Sequence, residues 1–368
     1  MAIDRLEIKD FLVFSGEYAA DFCHGVNVII GENGTGKTSL LKAMYRLCGI
    51  GKNRETEEYF IASGRTSDLF YRTPFEYIRM LILSENVESR ISVQYSFSDG
   101  PNPDEYVYLN GGLTVISPDE YVDEYTKAKP KHYDRMRTEL VFTSENYEPI
   151  SSVFIPATNL LPQSRALLEM LGDYEMDFDA TQVDNIKNAR RPITKAMKPN
   201  CKKVINVLSD IIDGEVLYEN DAFFVKKTSG EKVEFATEAS GFVRLGLLWK
   251  LLRNGLLEAG SILFWDEPEN SLNRELIPDV VEVLLTLAAN GVQIFLATHD
   301  YHFARYFDVR KNKNVSVKFH SLSKAKIGNI DYASSSEYSK LAGNPMERAS
   351  EKLYASVISD AFGVDDNG

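Results

Sequence analysis

The sequence predicts an α/β fold: a mixed, mostly parallel sheet with an antiparallel β subdomain and an inserted helical region. Three observations predict it. Val26–Ile30, Ser261–Trp265 and Val292–Ala297 are short apolar runs, as buried strands are. Each runs into residues that carry chemistry: a glycine-rich turn, two adjacent acids, and a Thr-His pair. Helical periodicity separates the runs, the alternation expected of parallel strands with helices packed on them.

In chain order, residues 3–30 read as antiparallel strands leading into Gly31–Thr38, and Ser39–Leu47 is apolar at helical spacing. Residues 49–68 are polar and read as a loop. Ile91–Ser98 alternates strictly, as a half-buried strand does, before Asp99–Pro103 breaks the chain. Tyr106–Leu109 and Leu113–Ile116 flank Asn110-Gly111-Gly112 and read as a hairpin. Residues 118–148 are charged and irregular, and Val153–Ile155 is a short strand stopped by Pro156. Leu160–Ile212 is helical, divided by Pro162, Pro192 and Pro199. Residues 215–235 suggest a hairpin turning at Thr228–Glu231, and Val243–Leu257 an apolar helix. Pro345–Phe362 is an amphipathic helix with Met346, Ala349, Leu353, Tyr354, Val357, Ile358 and Phe362 on one stripe, a pattern expected to pack into a core. The expected organisation is a first lobe over 1–158, a helical insertion over 159–214, a second lobe over 215–330 and a helical segment over 331–368.

The chain has 368 residues, 44% hydrophobic and 11% aromatic, which indicates a globular protein. No apolar run reaches the ~18 residues of a membrane span, and the N-terminus lacks the apolar core of a secretory signal. Cys23, Cys48 and Cys201 form neither a disulfide framework nor a zinc site, which suits a reducing cytoplasm. The close pair His299 and His302 has no further ligands clustered with it. The net charge of −13 repels nucleic acid on average, so a contact with it would have to be local. The candidate is residues 187–203, with seven basic residues and no acid; the other reading is a solvated face or a contact with the acids of 169–184.

Gly31-Glu32-Asn33-Gly34-Thr35-Gly36-Lys37-Thr38 matches the phosphate-cradling G-x-x-x-x-G-K-[ST] loop, between a strand and a helix as the chemistry requires. Backbone N–H groups of Asn33, Gly34, Thr35, Gly36 and Ser39, with the positive helix end, would surround phosphate. Lys37 would reach the β- and γ-phosphates, and the Thr38 hydroxyl would hold Mg²⁺. Asp266, at the end of its strand, would help organise that ion opposite Thr38. Glu267 would orient or deprotonate an attacking water. His299 would contact the γ-phosphate or hold the water. Ser240-Gly241, before the apolar helix, is either an anion site or a plain N-cap by Ser240. Phe11 and Phe14 are candidates to stack on a base, with core packing the other reading.

The order of phosphate loop, Ser-Gly signature, strand-Asp-Glu-Pro, Ser-Leu-Asn turn and strand-Thr-His resembles ABC-type ATPases. The opening LEIKDFLVFSGEY…VNVIIGENGTGKTSLLKAM resembles their RecF/SMC branch. GENGTGKT and DEPENSL are similar to the AAA-like ABC ATPases of OLD-family nucleases, the Septu and PARIS defence systems, and abortive-infection or toxin–antitoxin operons. The resemblance covers residues 1–48 and about 235–300. It implies a P-loop ABC-type core binding ATP and Mg²⁺ between two head-to-tail copies, in a dimer or higher oligomer. Lys37, Thr38, Asp266, Glu267 and His299 would come from one copy, with Ser240 and Gly241 facing the γ-phosphate held by the other. Asn270–Asn273 would form the D-loop at the interface of the two copies. The signature ASGFVR departs from LSGGQ in lacking the second glycine and the glutamine. The Q-loop glutamine is Gln163, Gln94 or Gln182. No SMC-type heptad arm lies between 39 and 240, and no nuclease motif follows Thr298.

These features imply an ATP-hydrolysing switch subunit of a bacterial anti-phage defence or toxin-like system, controlling a separately encoded effector such as a nuclease. The alternatives are a RecF/SMC-like DNA-repair ATPase binding nucleic acid at 187–203, a transporter component, and a nucleotide-locked scaffold that hydrolyses ATP slowly or not at all.

Overall fold

A computed structural model describes residues 2–52, 59–61, 89–98, 106–116, 137–142, 150–173, 179–194, 199–325 and 330–362. A six-stranded sheet forms the centre. Five strands run parallel: β3 (Val26–Gly31), β9 (Ser152–Ile155), β13 (Ile262–Asp266), β14 (Gln293–Thr298) and β15 (Val317–Lys324). An antiparallel edge strand, β16 (Ile330–Ser335), completes the order β16-β15-β3-β14-β13-β9. The fold is α/β, with the mixed, mostly parallel sheet the sequence predicts.

Apolar runs make these strands because both faces are covered. Val28, Ile30, Leu263, Trp265, Ile294 and Leu296 enter one core, with α4 (Pro199–Ile212), α5 (Ser240–Arg253), α6 (Ile277–Ala289) and α7 (Tyr301–Arg310). Their neighbours Ile29, Phe264, Phe295 and Ala297 point to the opposite face. There they meet α1 (Lys37–Cys48) and the hairpin of β1 (Ala2–Phe11) and β2 (Phe14–Asp21). That hairpin begins an antiparallel sheet, β2-β1-β6-β7-β8, with β6 (Ser89–Ser98), β7 (Tyr106–Ile116) and β8 (Arg137–Phe142). Among the described residues no helix is long and apolar enough to cross a membrane.

Several expectations are corrected. Residues 106–116 are one continuous strand, not a hairpin. Gly111 and Gly112 pair with Val93 and Ser92 on one side and with Phe142 and Val141 on the other, and two ladders hold them extended. Residues 214–234 form three strands rather than two: β10 (Gly214–Glu219), β11 (Ala222–Lys227) and β12 (Lys232–Glu234). The extra turn is Asn220-Asp221, both at positive φ (51° and 61°), the backbone of a two-residue hairpin turn. Within 49–68, Ile50–Lys52 (β4) pairs with Tyr59–Ile61 (β5), and the rest of that loop, with most of 118–148, lies outside the described residues. The helical region resolves into α2 (Ser164–Asp173), α3 (Ala180–Arg190) and α4.

The stripe on α8 (Pro345–Phe362) does not pack into the core. Leu353, Tyr354, Val357 and Ile358 are 64%, 59%, 56% and 57% exposed, because among the described residues the helix meets the body only through its first turns. The basic run divides too. Arg190 pairs with Asp221 at 3.3 Å and lies over Tyr218, while 195–198 lie outside the described residues. The acids before it turn elsewhere: Asp179 caps α3 and meets Lys42, and Asp184 accepts from the Tyr45 hydroxyl.

Polar side chains join the two sheets. Buried Gln293 accepts from Ile3 N at 2.7 Å and donates to the carbonyls of Ile3 and Cys23. Asn27 bonds both Cys23 N and Cys23 O, which fixes its amide orientation. Its oxygen therefore accepts from His320 Nε2, so Nδ1 accepts from the Tyr332 hydroxyl at 2.9 Å and the ring is neutral. Burial pushes this histidine down to about 3.

Gln293→Leu orphans both backbone groups of Ile3 and should cost about 2–4 kcal/mol in a denaturant titration. An unfolded histidine takes up a proton below its ordinary 6.5 and folded His320 does not until about 3. Stability contributed by His320 is therefore present above pH 6.5 and is lost on acidification through that window, by at most about 1.4 kcal/mol per pH unit. His320→Gln should flatten that acid limb relative to the parent.

Candidate functional site

The parallel register sets three strand ends level. Asp266 stands opposite Ala297, and Thr298 opposite Ile30, so the acids, the Thr-His pair and the glycine loop share one edge of the sheet. The loop takes its shape from glycine. Gly36 sits at φ +86°, and a Cβ there would lie 2.7 Å from Phe14 and Val13. Phe14 is thus a buried support beneath the loop, as in the core-packing reading; the Phe11 side chain lies outside the described residues.

Lys37 opens α1, only 8% exposed, and its ammonium donates to the carbonyls of Gly31 and Glu32 at 2.8 and 3.0 Å. Burial lowers its pKa, while Asp266 and Glu267 oppose that shift. The Thr38 hydroxyl donates to Asp266 Oδ2 at 2.8 Å. Burial raises the Asp266 pKa, and the Thr38 bond partly offsets it. Asn33 and Gly34 are exposed and Ser39 half-buried, while Thr35 is buried with its hydroxyl on Glu32 O.

Glu267 sits at φ +47°, a conformation an ordinary side chain rarely adopts. Its N–H is anchored on Ala297 O, and His299 Nδ1 lies 3.1 Å from its Oε1. The structure therefore brings Lys37, Thr38, Asp266, Glu267 and His299 together.

Ser240 and Gly241 stand apart: no hydrogen bond or ion pair among the described residues connects them to Lys37, Thr38 or Asp266. Ser240 is the first residue of α5 rather than its cap; Ala239 holds the cap position, with no side-chain bond. Ser240 is exposed, whereas Gly241 is buried where a Cβ would come 2.5 Å from Ser271 O. Asn270 donates to Ala157 O at 3.3 Å, and the Asn273 side chain accepts from Glu275 N. Of the candidate Q-loop glutamines, Gln182 is buried and bonded to Thr158 and Leu160, while Gln163 is exposed. The Gln94 side chain lies outside the described residues. Among the described residues no cluster of three metal-ligating side chains forms around His299 and His302.

Two residues escaped sequence reasoning. Arg244, buried one turn into α5, donates to Ala157 O (2.8 Å), Asp266 O (3.0 Å) and Glu267 O (2.8 Å), tying α5 to the acidic strand end. Burial lowers its pKa to about 10, against the pull of Glu269, Asp266 and Glu267. The available signal was an arginine among apolar residues in the first half of the helix, away from the basic residues of its last turn. Glu269, the second acid after β13, accepts from the Thr298 hydroxyl at 2.6 Å and His299 N at 3.3 Å, and burial raises its pKa.

A family profile described as "AAA domain, putative AbiEii toxin, Type IV TA system" matches residues 26–305. The chain belongs to this AAA-domain family. No match was found among curated proteins. Among solved structures, the AAA-domain protein resembles an Smc head bound to the C-winged helix domain of ScpA (13% identity, TM-score 0.52, covering 92% of this chain and 99% of that one). It also resembles an Smc head domain with an extended coiled coil bound to the C-terminal domain of ScpA, from Pyrococcus furiosus (13%, TM-score 0.50, 96% and 98%). At such identity the likeness shows the fold alone, that of an Smc head domain.

Gly241→Ala in this AAA-domain protein should cost about 1–3 kcal/mol in an isolated protomer, because the methyl meets the Ser271 carbonyl. A melting curve unchanged from the parent would contradict that packing. Arg244→Met should cost about 2–4 kcal/mol, and Arg244→Lys should restore little, since one ammonium cannot span three carbonyls.

Proposed function

We propose that this chain binds and hydrolyses ATP and works as the switch subunit of a bacterial anti-phage defence or toxin-like system, of the OLD, Septu, PARIS and abortive-infection kind. The observation that carries the reading is the convergence of the phosphate loop, Asp266, Glu267 and His299 on one sheet edge. Membership of an AAA-domain family whose description includes a putative toxin supports it.

The donor set fits the ligands. Backbone N–H groups of the loop and the N-terminus of α1, which has no acid in its first turn, suit a polyphosphate. Thr38 and Asp266 offer adjacent hard oxygens and would hold Mg²⁺, which screens phosphate charge. Glu267, with His299 on its carboxylate, would position and deprotonate the attacking water. The left-handed backbone, fixed by Ala297 and Arg244, aims that side chain.

Exposed Ser240 at a helix start would face the γ-phosphate of a second, head-to-tail copy. Binding would then close the dimer and hydrolysis loosen it, and a separately encoded effector such as a nuclease would respond. The DNA-repair reading stays second, since Arg190 of the basic run is already paired with Asp221.

Lys37→Ala should abolish nucleotide binding. Glu267→Gln should reduce turnover by about 10²-fold or more and accumulate an ATP-dependent dimer in size-exclusion chromatography with light scattering. Turnover of Glu267→Gln equal to the parent's would remove Glu267 from its assigned role.

A further inference from the structure

We infer that Lys324 is a second, outer phosphate ligand of the nucleotide loop, supplied by a segment beyond the region matched by the family profile. The inference rests on the nucleotide reading above and adds a residue to it. β15 lies parallel beside β3 with Leu322 opposite Gly31, so the next residues of β15 run past the base of the loop. Lys324 Nζ lies 3.7 Å from where a Cβ of Gly34 would stand. Gly34 is exposed at φ +79°, so this ammonium lies close to bare backbone at the tip of the loop.

Charge gives the independent argument. Among the described residues, no carboxylate forms an ion pair with Lys324. The loop's own acid, Glu32, already faces Arg348 Nη2 at 3.6 Å. Lys37 faces Asp266 and Glu267 on the inner side of the loop, and Glu32 is taken up by Arg348, so the Lys324 ammonium stands beside the loop with no carboxylate of its own among the described residues. Lys37 approaches from within, held on two carbonyls. Lys324 approaches from outside on a flexible stem, as a point charge that needs no fixed geometry to meet a phosphate oxygen. Arg348 keeps Glu32 from repelling that phosphate. The three cations come from α1, β15 and α8, and the last two lie beyond residue 305.

The test is calorimetric titration of the full chain with ATP and, separately, with inorganic tripolyphosphate, which has no base or ribose. Lys324→Gln should weaken both by about 5- to 30-fold. Its unliganded melting curve should match the parent's, because the side chain is exposed and no ion pair holds it among the described residues. Lys324→Arg should retain most of the affinity. Lys340→Gln, which removes a surface ammonium paired with Glu337, should change neither. Tripolyphosphate binding to Lys324→Gln as tight as to the parent overturns the inference and leaves the nucleotide reading standing. A parent chain that binds neither compound overturns that reading itself.

Discussion

Everything at the site depends on the parallel register of three neighbouring strands. Because β3, β14 and β13 start and stop together, residues more than 200 positions apart in sequence arrive at one edge, and the Thr38–Asp266 hydrogen bond closes across it. A shift of one residue in β13 would turn Asp266 to the opposite face and carry its carboxylate away from Thr38. The register is enforced by burial on both faces, with Trp265 in one core and Phe264 in the other.

On that edge the chain keeps one strained residue. Glu267 holds a left-handed backbone that a non-glycine residue adopts only when its surroundings over-determine it. Ala297 takes its N–H and Arg244 its carbonyl. Arg244 also ties α5, which starts at exposed Ser240, to the carbonyls of Asp266 and Glu267. Gly241 carries a second constraint: its close approach to Ser271 is internal to the protomer, so a substitution there reports on packing as well as on any contact with another copy.

Much of this was legible because it is local. The glycine loop needs its residues in consecutive order, and the apolar runs before Asp266 and His299 already state that both strand faces are buried. What was not legible depends on partners distant in sequence. Gly111 and Gly112 look like a turn until ladders on two sides hold them straight. Asn220-Asp221 lacks the glycine that usually marks a two-residue turn, so nothing local points to its hairpin. The stripe on α8 states that an apolar face exists but not whether the body covers it. Arg244 gave only the signal of a charge in an apolar helix; its role depends on carbonyls from two other strand ends.

The most direct test of the central claim is a structure of the full chain with Mg²⁺ and a non-hydrolysable ATP analogue. The account predicts phosphates in the 31–38 loop and the ion between Thr38 and Asp266, in place of their present hydrogen bond. An analogue bound elsewhere, with that hydrogen bond intact, would contradict it.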